Sequence, residues 1–281
     1  MSAPVVWVEG RPDESLSALD RGVHYGEGLF ETIACLAHRP RFLALHLERL
    51  ALGCRRLALP MPEPAGLRAR IEHSAAEVPR ALIKVLLTRG PGRARGYRWG
   101  AERGTCVIIR YPWPDEQAAP RPARVRIAAT RLGENPALAG MKHCNRLEQV
   151  LAANEADGAE ADEALMLSSA GQLICGTMTN VFLVDSVHGA ARVRTPEIRT
   201  CGVAGVMRRV VLREAARAGI TVEQTALTLD DLAVAEEVFL TNARLGVWPV
   251  RALPGRALVP GPVTARLGAL LQPLLEAPAD G

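Results

Sequence analysis

The sequence predicts a mixed α/β protein of two domains, and three features carry that prediction. Short runs rich in Val, Ile and Leu recur at strand length, apolar residues between them recur at helical spacing, and a proline-rich segment divides the 281 residues in two. Several strand runs follow one another directly, which points to mixed or antiparallel pairing.

Val5-Val6-Trp7-Val8 reads as a first strand and Leu29 to Leu36 as a second, after a turn at Tyr25-Gly26-Glu27-Gly28. Leu47, Leu50, Ala51, Cys54, Leu57 and Ala58 form one apolar stripe of a helix that Pro60-Met61-Pro62 ends. Ala81 to Thr88 and Thr105 to Tyr111 are strands flanking a loop rich in Gly and Arg, Arg89 to Gly104. Four prolines between Pro112 and Pro122 exclude a regular element, so the boundary is placed there, giving domains 1–117 and 118–281. The second half opens with a strand at Val125 to Ala129 and a turn at Gly133 to Pro136. Asn145 is a candidate cap for a helix through Leu147, Val150 and Leu151. Strands are expected at Ala164 to Leu167, Val181 to Val184, Glu237 to Thr241 and Gly246 to Val250. Val203, Val206, Met207, Val210 and Val211 make a further helical stripe, with Gly205 in its first turn, and Leu267 to Leu275 a last helix.

Composition narrows the function classes. With 48% hydrophobic residues the chain can bury a sizeable core. No apolar run approaches the roughly 18 residues of a membrane span, and Met1-Ser2-Ala3-Pro4 lacks the basic and apolar regions of a signal peptide, so a cytoplasmic location is expected. Cys35, Cys54, Cys106, Cys144, Cys175 and Cys201 are scattered without a C-x-x-C pair, which argues against a zinc site or a disulfide framework. The net charge of +4 is modest and its basic residues are dispersed, giving little support to nucleic-acid binding.

The basic residues are unequal. Of 34 Lys plus Arg, only Lys84 and Lys142 are lysine, leaving 32 arginines. Arginine stays protonated, whereas a lysine amine can lose its proton and act as a nucleophile, so each lysine is a chemical candidate. Lys84 lies within the apolar strand Ala81 to Leu87, where a solvent-facing position or a structural ion pair is the better reading. Lys142 stands between Gly140-Met141 and His143-Cys144-Asn145-Arg146, at a loop-to-helix junction of the kind that presents catalytic groups. From that context alone an ordinary surface lysine is as good a reading.

The string Lys142-His143-Cys144-Asn145-Arg146-Leu147-Glu148-Gln149-Val150, preceded by Arg131-Leu132-Gly133-Glu134-Asn135-Pro136, shifts the balance. It resembles the Schiff-base region of aminodeoxychorismate lyases, within the fold type IV pyridoxal-phosphate family that also holds branched-chain and D-amino-acid transaminases. The resemblance extends to Asp20-Arg21-Gly22, Tyr25-Gly26-Glu27-Gly28, His46-Leu47-Glu48-Arg49-Leu50, Arg95-Gly96-Tyr97 and Asp162-Glu163-Ala164-Leu165. It implies a two-domain fold type IV subunit, a homodimer, and pyridoxal 5'-phosphate in the interdomain cleft, bound to Lys142. By the same resemblance Arg49, the amides of Val206 and Met207, and Asn242 hold the cofactor phosphate, and Arg146 lies near the cofactor phenolate. Helix N-termini bind anions, which agrees with the place of Val206 and Met207. Arg49 and Arg146 could instead be helix-surface charges, and Asn242 a turn residue. For the substrate, Arg95 and Tyr97 are the first candidates, against an exposed charged loop as the other reading, and Tyr25 and Glu31 the next, each equally readable as structural.

One position departs from the family pattern. A glutamate usually lies five residues before the asparagine matched by Asn180 and keeps the pyridine nitrogen protonated, but here Cys175 occupies that place. A thiol with an ordinary pKa of about 8.5 is a weak donor and does not hold a pyridinium as a carboxylate does. The expected activity is conversion of 4-amino-4-deoxychorismate to 4-aminobenzoate and pyruvate, which Cys175 disfavours less than it disfavours transamination. A D-amino-acid or branched-chain transaminase and a non-catalytic ligand-binding member are the alternatives.

Overall fold

The computed structural model describes residues 3–12, 15–92, 95–100, 103–114, 121–155, 161–187 and 190–276, and they fall into two compact units. The first holds strands β1 (Val5–Val8), β2 (Arg11–Pro12), β3 (Gly28–Leu36), β4 (Arg39–Pro40), β5 (Arg80–Thr88) and β6 (Thr105–Pro112), with helices α1 (Arg21–Tyr25), α2 (Leu43–Leu57) and α3 (Pro64–Ala76). Its sheet runs β2-β1-β6-β5-β3-β4 and every pairing in it is antiparallel.

Alternation in β3 and β5 separates two faces. Leu29, Glu31, Ile33 and Cys35 of β3, and Ala81, Ile83, Val85 and Leu87 of β5, are buried. That face meets α2, as the bonds from Glu31 to His46 and Arg49 show. Phe30, Thr32, Leu82, Lys84 and Leu86 occupy the opposite face and are half-buried. Helix α3 was not foreseen. Its cap is a glutamate, Glu63, whose carboxylate accepts from the amides of Ala65 and Gly66 ahead of Pro64. Helix α1 replaces part of the expected turn, with Asp20 capping the Gly22 amide.

The second unit holds β7 (Ala123–Ile127), α4 (Leu147–Ala153), β8 (Glu163–Leu167), β9 (Leu173–Gly176), β10 (Asn180–Val187), β11 (Ala190–Pro196), α5 (Val206–Arg217), β12 (Val222–Thr225), α6 (Leu229–Val234), β13 (Glu237–Asn242), β14 (Gly246–Leu253), β15 (Arg256–Ala257) and α7 (Pro262–Glu276). The sheet order is β12-β11-β10-β13-β14-β7-β8-β9, with β15 on β14. Pairs β11·β12, β14·β7 and β7·β8 are parallel and the rest antiparallel. Phe182 and Phe239 face each other across β10 and β13 and stack at 4.7 Å, fully buried. An aromatic pair of that kind adds about 0.5–1.5 kcal/mol beyond its buried area. Strand β11 is not among the strands expected from sequence; its Arg192 and Arg194 both pair with Asp185. No helix among the described residues is long and apolar enough to cross a membrane.

The boundary expected at 117/118 lies outside the described residues. A single cut there assigns Lys142 to the second domain, whereas Met141–Asn145 packs with the first unit. The cause is main-chain pairing: Phe30 N donates to Lys142 O at 2.9 Å and Cys144 N to Gly28 O at 2.9 Å, with a β-bridge between Leu29 and His143. The segment thus acts as one more short strand beside β3.

Candidate active site

That pairing fixes the lysine. His143 shares a face with its bridge partner Leu29, so Lys142 projects to the other face, where its Nζ lies 4.3 Å from the centre of the Phe30 ring. The approach requires glycine at position 28, because a Cβ there would stand 2.6 Å from Leu87 O and 3.1 Å from Cys144 Sγ. Asn145, the expected helix cap, donates from Nδ2 to Gly26 O at 3.3 Å instead, and Arg146 takes the cap position of α4. The asparagine therefore anchors the lysine segment.

On the opposite face of β3 lies a buried ionic group. Glu31, 1% exposed, accepts from Arg49 Nε at 2.8 Å, from Arg49 Nη2, and from His46 Nδ1 at 2.7 Å. Burial alone raises a carboxyl pKa, but the Arg49 charge and the His46 hydrogen bond outweigh it and hold Glu31 at about 2. Burial lowers the pKa of His46 against the pull of Glu31. Its Nε2 has no hydrogen-bond partner among the described residues, consistent with a neutral ring that carries its proton on Nδ1. Glu31 is thus not in the substrate pocket expected for it: both its oxygens hold α2, and through them the plane of the Arg49 guanidinium is fixed.

Glu31→Gln keeps the shape and removes the charge, so its expected effect is on Arg49. If Arg49 holds the cofactor phosphate, as the family resemblance implies, pyridoxal phosphate titrated into the variant should bind about tenfold more weakly, the loss of roughly one charge-assisted bond. The same change alters the acid response. Glu31 titrates at about 2 in place of 4.5, so the stability it confers is complete above 4.5 and disappears as pH falls from 4.5 toward 2. His46, with its lowered pKa, adds loss of stability below 6.5, where the unfolded ring takes up a proton that the folded one refuses. Urea unfolding at several pH values should show a steeper acid slope below 4.5 for the wild type than for Glu31→Gln.

In the second unit, Gly205 caps α5 without any side-chain bond, leaving Val206 and Met207 as its first two residues. Val203, assigned to this helix by its stripe, lies outside it and forms a bridge with Gly140. A Cβ at position 205 would collide with Asn180 Oδ1, while Asn180 Nδ2 donates to Val203 O at 2.9 Å, so asparagine and glycine shape the turn together. Thr241 pairs with Asn180 across β13 and β10, and its buried hydroxyl has no partner among the described residues. Arg208, in the first turn of α5, is buried with no ion pair among the described residues, its Nη2 donating to Pro196 O at 2.8 Å and Gln224 Oε1 at 3.0 Å. Burial lowers its pKa to about 10, so it remains a cation at neutral pH. An uncapped helix start, a cation in its first turn and an orphaned hydroxyl together suit a phosphate. Neither Thr241 nor Arg208 could be found from sequence, where a strand threonine and one arginine among 32 carry no signal.

Asn242 Oδ1 accepts from the amides of Arg244 (3.0 Å) and Leu245 (2.8 Å), so its oxygen builds a turn and its Nδ2 is the donor left for a ligand. Cys175 on β9 is 6% exposed, and burial, with Glu163 and Cys201 adding, pushes its thiol up to about 12. It is therefore neutral at neutral pH. The Arg146 charge acts on it in the opposite sense, which places those two expected cofactor residues in one neighbourhood.

Of the substrate candidates, Tyr25 and Tyr97 meet with ring centres 5.4 Å apart, Tyr97 being 83% exposed. Arg21 holds them: it lies 4.8 Å over Tyr25, donates to Gly96 O (2.9 Å) and Tyr97 O (3.1 Å), and pairs with Glu27. Arg95 is exposed.

Comparison with known proteins bears on this arrangement. The family model for amino-transferase class IV matches residues 28–253. An aminodeoxychorismate lyase of Vibrio harveyi is 36% identical over 250 residues, 88% of this chain and 90% of that one. The crystal structure of 4-amino-4-deoxychorismate lyase from Pseudomonas aeruginosa superimposes with a TM-score of 0.90 at 40% identity, covering 97% of this chain and 100% of that one. A branched-chain-amino-acid aminotransferase, also of Pseudomonas aeruginosa, is 27% identical over 286 residues, 94% of this chain and 90% of that one.

Proposed function

The chain belongs to the class IV aminotransferase family, and from that premise we propose that it is a pyridoxal-phosphate-dependent lyase that converts 4-amino-4-deoxychorismate to 4-aminobenzoate and pyruvate, in the cytoplasm and as a homodimer. The similarity to lyases of that name, at 36% and 40% identity over most of the chain, supports the reaction. The observation that separates it from transamination is the neutral thiol of Cys175.

Lys142 Nζ would hold the cofactor covalently, while Arg49, the Val206 and Met207 amides and Asn242 Nδ2 would hold its phosphate, with Arg146 on the phenolate side and Cys175 at the ring nitrogen. When bound, pyridoxal phosphate supplies a sink for the electron pair left by a departing proton. The Lys142 amine, displaced by the substrate amine, takes the proton from C4 of the substrate. The C3–O bond then breaks, enolpyruvate leaves and becomes pyruvate, and the six-membered ring becomes aromatic. Charge is drained by the leaving group and by aromatisation, so Cys175 need not keep the ring nitrogen protonated. A transaminase must hold that charge until a proton is delivered elsewhere, and a thiol pushed up to about 12 serves that poorly.

The test is product analysis with loaded protein. Incubation with 4-amino-4-deoxychorismate should release 4-aminobenzoate and pyruvate in equal amounts. Amino transfer from D-alanine or leucine to a 2-oxoacid, without 4-aminobenzoate, would replace this reading by a transaminase.

A further inference from the structure

The two lysines of this chain, far apart in sequence, are brought to a single aromatic ring. Lys142 Nζ lies 4.3 Å and Lys84 Nζ 5.0 Å from the centre of Phe30, so the two nitrogens are no farther apart than those distances combined. Strand register accounts for it. Lys84 of β5 stands opposite Thr32 of β3, and Leu86 opposite Phe30. Residues of equal parity share a face in such a pair, so Phe30, Thr32, Lys84 and Leu86 point the same way. The Met141–Asn145 segment, on the other edge of β3, sends Lys142 to that face as well.

Sequence left Lys84 a solvent-facing position or a structural ion pair, and the second finds no acid among the described residues. Among the described residues no carboxylate stands within ion-pair distance of Lys84. Glu31, the acidic residue of β3, points to the opposite face, where His46 and Arg49 occupy its oxygens. Attraction to an aromatic face is weaker than to an opposite charge and leaves the ammonium un-neutralised. A half-buried ammonium with no acid against it among the described residues is arranged for an anion.

We propose that Lys84 is a specificity-determining residue that receives a carboxylate of the substrate while the substrate amine is at Lys142. This rests on the lyase reading. In 4-amino-4-deoxychorismate the amine and one carboxylate stand at opposite ends of a six-membered ring, and a second carboxylate ends the enolpyruvyl group. A substrate lying over Phe30 thus spans from one lysine to the other. The ammonium of Lys84 is a compact charge with three donors, able to meet a carboxylate from more than one direction. It moves no proton; it sets the substrate so that C4 faces Lys142 Nζ.

The experiment compares Lys84→Gln and Lys84→Arg with wild type as loaded enzymes, in steady state with 4-amino-4-deoxychorismate. Removing a charge-assisted bond made equally in ground and transition states raises KM, so Lys84→Gln should show a KM about tenfold or more above wild type, with kcat within about threefold. Lys84→Arg, which keeps the charge, should restore most of the loss. An active wild type with a Lys84→Gln KM within about twofold of it overturns the assignment, as does an arginine variant no better than the glutamine one. A wild type that releases no 4-aminobenzoate overturns the lyase reading, and the substrate assigned to Lys84 with it.

Discussion

A Lys142→Ala variant is expected to lose the yellow colour of the loaded protein and about 10⁴-fold in turnover, because in the proposed reaction one amine would serve as both the covalent anchor and the base. Its fold should survive. Phe30 N and Gly28 O bond to main-chain atoms of Lys142 and Cys144, and alanine retains both bonds. The half-buried side chain contributes its stem and its contact with Phe30, so the stability change should stay within about 1 kcal/mol. Borohydride reduction followed by peptide mass analysis gives the sharper measurement. The wild type should carry the cofactor mass on the Lys142 peptide and the variant on none. With only two lysines in the chain, a label on the Lys84 peptide would reverse the roles assigned to them.

That reversal is worth testing because the sequence treats the two lysines so differently. Lys142 is singled out by the string around it, His143, Cys144, Asn145 and Arg146, through which the chain resembles its family. Lys84 has no such string, only a strand. Whether a strand residue faces helix, solvent or a catalytic segment depends on which chain lies beside the neighbouring strand, and here that chain arrives more than a hundred residues after β3. The Glu31–His46–Arg49 group has the same character. The pair His46 and Arg49 is visible at helical spacing, but its carboxylate comes from a strand fifteen residues before His46. Sequence left Glu31 open between a pocket residue and a structural one; burial at 1% exposure and two occupied oxygens favour the structural reading. Helix starts failed for a different reason. Gly205 interrupts an apolar stripe, and periodicity counts Val203 as helical although the glycine is the cap. Glu63 and Pro64 begin α3 with a cap chemistry less common than Ser, Thr, Asp or Asn.

Cys175→Glu tests the remaining argument, that the ring-nitrogen neighbour decides between elimination and transfer. The variant places a carboxylate where 6% of the residue is exposed and where the Glu163 charge already adds to the rise of the thiol pKa. Without cofactor that carboxylate has no assured partner, so the apo variant should be about 3 kcal/mol less stable than wild type, read from urea unfolding. With cofactor, a protonated pyridine nitrogen would pair with it, so loading should stabilise the variant more than it stabilises the wild type. The chemical consequence follows from the same pair. A pyridinium stores charge better than a neutral ring, and about 1.4 kcal/mol of extra stabilisation should speed the half-reaction with D-alanine or leucine roughly tenfold. Release of 4-aminobenzoate should change far less, because aromatisation and the departing enolpyruvate already dispose of the charge. A large fall in amino transfer would contradict this account of Cys175. Equal gains in both reactions would show instead that elimination is as dependent on the ring nitrogen as transfer is, and the thiol would then be a handicap rather than a mark of the lyase.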